Sequence, residues 1–280
     1  MSAVHARPVL SSSGLAPTHA VTATDELGAT RSLDIADERP LTLYVDKREI
    51  VTLMTLGVHP EALTLGYLRN QGLVAELGDI KSVQVDWDVN AVAVTTVSGK
   101  LANAERLEKR TVTTGCGQGT VFGDVMADLD DVRLQPPALS RDSIYRLLKT
   151  LASHNDVYRS AGAVHGCALC AGDEVRYFIE DVGRHNAVDA IAGHMWLDDE
   201  RGEDKVFYTT GRLTSEMVIK VAQMRIPVLL SRSGITKMGL DIARRVGVVM
   251  IARAKGRHFL VYHGSEHITG LETESAGGTA

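Results

Sequence analysis

Three arginines stand just past three apolar runs of the chain, in Glu180-Asp181-Val182-Gly183-Arg184-His185-Asn186, Thr210-Gly211-Arg212-Leu213-Thr214 and Ser231-Arg232-Ser233-Gly234. A guanidinium is a planar, permanently charged fork of donors, and phosphate oxygens match that fork. Three of them on glycine-loosened turns point to a ligand with several negative charges. Cys116 offers a different chemistry. It lies in Thr113-Thr114-Gly115-Cys116-Gly117-Gln118-Gly119, where the glycines leave a thiol open to attack or to loading with sulfur. The plainer reading of Cys116 is a small residue in a tight turn, since free cysteine is more often buried and inert.

Two further clusters carry chemistry-bearing residues. The stretch Glu180 to Asp189 holds two carboxylates, Arg184, His185, Asn186 and Asp189 at a strand-to-helix junction. Helix N-termini offer free N–H groups to an anion there, although a solvated charged face would account for the carboxylates. Near the C-terminus, Arg253-Ala254-Lys255-Gly256-Arg257-His258 places basic side chains around one glycine, either as an ordinary surface turn or as added charge on the same ligand. His165-Gly166-Cys167-Ala168-Leu169-Cys170 has a C-x-x-C spacing, but a zinc site normally needs four ligands. On a strand, Cys167 and Cys170 would face opposite ways. A hydrolytic deaminase would need H-x-E and a proline before the cysteine pair, and Gly166 precedes Cys167.

Positioning these residues requires a regular frame. The runs Val175 to Ile179, Val206 to Tyr208 and Val228 to Leu230 read as buried strands, and each is followed by a helical pattern. Those helices are expected near Ala187–Met195, Ser215–Met224 and Lys237–Val246. Such alternation predicts a parallel sheet covered by helices on both faces, with the arginine turns gathered along one rim. Ser140 is a suitable N-cap for a helix carrying Ile144, Leu147, Leu148 and Leu151 on one face. Upstream, Leu41, Leu43 and Val45 alternate as a strand, Pro60 opens a helix, and Val83 to Val97 reads as a β-hairpin. The expected organisation is a flexible leader (1–30), an N-terminal α+β domain with the cysteine loop (31–135), a C-terminal α/β domain (136–264) and a flexible tail (265–280).

The composition is that of an ordinary globular chain: 44% hydrophobic and 23% charged residues over 280 positions. A formal charge of -5 argues against general nucleic-acid affinity. No apolar run approaches the ~20 residues needed to span a bilayer, so neither membrane nor nucleic acid is an expected partner and the expected location is cytoplasmic. Three cysteines do not make a disulfide framework.

Glu180 to Asp189, Gly211 to Met217, Ile226 to Ser233 and the Pro40-Leu41-Thr42-Leu43 start of the first domain together resemble the formate dehydrogenase accessory sulfurtransferases (FdhD-type proteins) over residues 38–263. The resemblance implies a C-terminal cytidine deaminase-like sheet without the deaminase zinc, and a homodimer. It implies a sulfurtransferase that takes sulfur from a cysteine desulfurase and delivers it to the molybdenum bis-molybdopterin guanine dinucleotide cofactor of formate dehydrogenase. A guanine nucleotide is then a partial mimic of the ligand. Cys116 matches the family's persulfide cysteine. The implied cofactor contacts are Arg184, His185, Asn186, Asp189, Arg212, Ser231, Arg232, Ser233 and Arg253, Ala254, Lys255, Gly256, Arg257, His258. One departure stands out: family members commonly have a second loop cysteine where this chain has Gly119. A carrier of the cofactor without sulfur transfer is the alternative reading.

Overall fold

The structure is a computed structural model that describes residues 7–101, 129 and 131–271. Cys116 and its loop lie outside the described residues.

The N-terminal half is built on a five-stranded sheet. Its strands are β1 (Val9–Leu10), β4 (Arg39–Val45), β5 (Arg48–Thr55), β6 (Ile80–Asp86) and β7 (Ala91–Thr96), in the order β1-β6-β7-β4-β5. Between them in the chain, β2 (Thr18–Thr24) and β3 (Thr30–Ala36) form a separate antiparallel hairpin. Helix α1 (Pro60–Asn70) follows β5, with Pro60 in its first turn, where a missing N–H costs nothing.

Strands β1 and β2 correct the expectation of a flexible leader. Val9 and Leu10 pair in parallel with β6, Ser11 Oγ and Ser13 N both donate to Glu61 Oε1, and Trp87 Nε1 donates to Ser13 O at 2.6 Å. Backbone pairing and polar contacts anchor this segment rather than an apolar stripe, so its Ser/Thr/Ala composition hides it. The far boundary shifts similarly: β15 (Ile268–Thr269) pairs with β8 (Leu139–Ser140), beyond the expected domain end at 264.

The C-terminal half begins with β8 and α2 (Arg141–Leu151). Ser140 caps α2, its Oγ accepting from Ser143 N at 3.0 Å. After a short α3 (Asp156–Ala161) come β9 (His165–Ala171), β10 (Glu174–Asp181), α4 (Arg184–Leu197), β11 (Lys205–Thr209), α5 (Ser215–Gln223), β12 (Val228–Ser231), α6 (Lys237–Val246), β13 (Val249–Lys255) and β14 (His258–His263). They form a sheet in the order β10-β9-β11-β12-β13-β14. The sheet is mixed, not parallel as expected: β11, β12 and β13 run together, while β9 opposes both its neighbours and β14 opposes β13. Because β10 reverses β9 again, the carboxyl ends of β10, β11, β12 and β13 still share one rim.

Alternation along the strands sorts residues between two faces. Cys167, Leu169, Phe207, Leu229 and Met250 face α4, α5 and α6, whereas Ala168, Cys170, Val206, Tyr208, Leu230 and Ile251 face α2. Helices therefore cover both faces. The first face continues into α1 and the N-terminal sheet as one core. Helix α4 is buried almost all round because it is wedged between the large sheet and α1. The two helices touch backbone to backbone: a Cβ on Gly66 would lie 1.7 Å from Asp189 O, and one on Gly193 would lie 1.9 Å from Ala62 O. No helix among the described residues is long and apolar enough to cross a membrane.

Candidate functional site

Three strands of the large sheet end on a side chain that holds the turn after it. Asp181 Oδ1 accepts from Gly183 N at 3.1 Å, Thr209 Oγ1 from Gly211 N at 3.1 Å, and Ser231 Oγ from Ser233 N at 2.9 Å. Short polar side chains favour this bond to the backbone two residues on. The repeat fixes the chain where it leaves the sheet, which places Arg184, Arg212 and Arg232 along one rim. Ser231 Oγ also donates to Gly211 O at 2.7 Å, tying two of the turns together. Arg184 is buried, and Gly211 lets its stem pass, since a Cβ there would lie 2.7 Å from Arg184 Cδ. Arg212 and Arg232 are exposed.

Arg253 joins them from β13, where its N–H donates to Ser233 O at 2.9 Å. Its backbone takes φ 51°, in the left-handed region that costs any residue with a Cβ energy, within an irregular stretch of the β13–β14 pairing.

Three cavities sharing lining residues run along this rim. The first, about 350 Å³, is lined by Asn155, Tyr158, His165, Thr210, Arg232 and Ser233, among others. The second, about 430 Å³, shares Asn155, Tyr158 and Arg232 and adds Arg159, Tyr208, Ala254, Lys255 and Gly256. The third, about 590 Å³, shares Gly256 and is lined by Tyr145, Arg146, Lys149 and Arg257. Arg257 lies over the Tyr145 ring, 5.4 Å from its centroid, as cations favour the face of an aromatic ring. Burial pushes the Tyr208 hydroxyl up to about 12, against the pull of Arg232 beside it. Burial first, then Arg184 and Arg212, holds the His165 imidazole below its usual value. Chemically, the groove offers cations for anionic oxygens and aromatic faces for a planar ring.

Of the expected contacts, Arg232, Ser233, Ala254, Lys255, Gly256 and Arg257 line the groove. Arg212 and Arg253 are exposed at the neighbouring strand ends, whereas Arg184 is buried and lines none of the three cavities. His258 is exposed at the start of β14, paired with Lys255, and is not among the lining residues. Four others are interior. Ser231 is fully buried in its turn. Asn186 donates to Met54 O at 2.5 Å and Asp181 Oδ1 at 2.8 Å. Asp189 accepts from Asn70 at 2.8 Å and pairs with Lys220 at 2.6 Å. His185 Nε2 lies 3.2 Å from Glu216, yet burial, Lys220 and Arg184 push its imidazole down to about 2 and keep it uncharged. These three side chains hold α4 against β5, α1 and α5, so the part of the Glu180–Asp189 string beyond Arg184 is mostly internal wiring.

Residues that sequence reasoning passed over come chiefly from α2 and α3. Asp142, Tyr145, Arg146 and Lys149 recur at helical spacing on the face of α2 away from Ile144 and Leu147, and this polar stripe was the available signal. The C-x-x-C pair is not a metal or redox pair: Cys167 and Cys170 lie on opposite faces of β9, and burial pushes both thiols up to about 12.

The family model described as "FdhD/NarQ family" matches residues 36–269, which include the groove, the large sheet and every strand of the five-stranded sheet but β1. The chain belongs to this family. A Listeria innocua relative named "Sulfur carrier protein FdhD" is 32% identical over 241 residues, covering 84% of this chain and 91% of the relative. A Bacillus subtilis relative of the same name is 28% identical over 236 residues, covering 82% and 88%. Among solved structures, one described as a formate dehydrogenase accessory protein from Desulfotalea psychrophila superposes with a TM-score of 0.71 at 25% identity, covering 90% of this chain and 98% of that one. Family membership thus extends over both halves of the molecule.

Proposed function

We propose that this family member is a cytoplasmic sulfur carrier that matures formate dehydrogenase. In this reading Cys116 takes sulfur from a cysteine desulfurase and presents it to the molybdenum bis-molybdopterin guanine dinucleotide cofactor held along the rim. The observation that carries the reading is the row of adjoining cavities, with Arg232, Lys255 and Arg257 along it and an aromatic face at Tyr145. Those residues suit a ligand with internal pyrophosphates and planar bases. Loading is a thiol exchange: the Cys116 thiolate attacks the outer sulfur of the desulfurase persulfide, the desulfurase cysteine leaves as thiolate, and the S–S bond re-forms on Cys116. A cytidine deaminase-like topology for the large sheet is compatible with its mixed strand order and two helical layers.

Incubation with a desulfurase and cysteine tests the first step, because a persulfide adds about 32 Da to the Cys116 peptide. In cells, Cys116→Ala is expected to abolish formate dehydrogenase activity, and full activity in that variant would overturn sulfur transfer. One observation favours cofactor carriage without transfer: Gly119 leaves the loop a single thiol, and Cys167 and Cys170 are sealed in the core. An absent persulfide together with retained guanine nucleotide binding would select that alternative. The working unit is expected to be a homodimer, which light scattering on the purified protein reads.

A further inference from the structure

His165 is the first residue of β9 and lines the polar cavity of about 350 Å³ at one end of the groove, beside Thr210 and Arg232. Thr210 packs beside the ring: its Oγ1 accepts the Gly166 N–H at 3.1 Å and lies 3.5 Å from His165 Nδ1. Once the imidazole is protonated both ring nitrogens are donors, Nε2 included. A second pairing, Thr210 N to Gly166 O at 2.9 Å, locks the two backbones together and holds the imidazole in place.

We infer that His165 is a ligand-contacting residue of the groove, donating from Nε2 to a phosphate oxygen and taking up a proton as that phosphate arrives. The inference rests on the reading of the groove as a nucleotide site. The surroundings supply the coupling. Arg184 and Arg212 disfavour a charged imidazole, and with burial they hold it below its usual value. A bound phosphate would offset those cations and favour the imidazolium, so ligand and proton bind cooperatively.

The other charged or titratable groups around His165 do not supply the same response. The guanidiniums of Arg184, Arg212 and Arg232 are permanently charged side chains, and His185 is held uncharged. Glu180 accepts from Val157 N and Tyr158 N, and Asp181, opposite His165 in the ladder, is engaged by Thr55, Gly183 and Asn186.

The test is titration calorimetry of the full chain with diguanosine 5′,5′-pyrophosphate. Its internal phosphates do not ionise over the range used, about pH 5.5 to 8. Affinity is expected to rise about three- to tenfold on acidification across that range. His165→Gln retains an N–H near the Nε2 position and should bind within about threefold of wild type at the alkaline end, with a flat profile. His165→Asn is the second variant should the first not fold, and thermal melting checks both. A profile as steep in these variants as in the wild type overturns the role of His165 and leaves the nucleotide site standing. No binding by wild type at any pH overturns the nucleotide reading, and this inference with it.

Discussion

Arg232 lines two of the three cavities and lies beside the Tyr208 hydroxyl, which puts its guanidinium in the groove. Arg232→Ala is expected to weaken guanine nucleotide binding by about tenfold or more, measured by calorimetry, because a charge-assisted bond to phosphate is lost. The thiols give a second prediction at this scale. A maleimide should label the native chain once, at Cys116, and the denatured chain at all three cysteines, because the Cys167 and Cys170 thiols are buried and pushed up to about 12. Peptide mapping of the native adduct locates it, and label on Cys167 or Cys170 would contradict their burial. The basic residues of the rim were legible in the sequence because each follows an apolar run at a turn. The roles of His185, Asn186 and Asp189 were not. A polar cluster reads alike whether it meets solvent or another element, and the partners here, Met54, Asn70, Glu216 and Lys220, come from distant or separate segments.

Among elements, α1 and α4 meet backbone to backbone. Gly66→Ala would set a methyl against the Asp189 carbonyl and is expected to cost about 3 kcal/mol or more, read from denaturant midpoints. Gly234→Ala is the control. It stands in open space on the rim, and its change should stay within about 0.5 kcal/mol. Pro60 and Ser140 open helices as their patterns predict, and the apolar runs Val175 to Ile179, Val206 to Tyr208 and Val228 to Leu230 fall in β10, β11 and β12, whereas α4 starts at Arg184, three residues before the expected Ala187. The direction of β9 was not readable, since an apolar run has the same composition whichever way it points. The hairpin β2–β3 escaped notice because its strands are mostly exposed, so no buried face marks them.

At the scale of the molecule, four imidazoles among the described residues titrate against the fold. His59, His165, His185 and His194 are all held below the ordinary value of 6.5, chiefly by burial. The unfolded chain therefore binds protons that the folded chain refuses. Their contribution is fully present above the unfolded value and is lost as pH falls through and below it. Burial raises Asp181 and Asp189, which opposes this trend at lower pH. The melting temperature is expected to drop between about pH 7 and 5, and His185→Gln should flatten that drop, measured by scanning calorimetry. The wedged helix Arg184–Leu197 has a last consequence. Since it belongs to the cores of both sheets at once, severing the chain near Pro136 would bare oily surface on each fragment. Neither piece should stay dispersed alone, and the two should recover their shape only when refolded together.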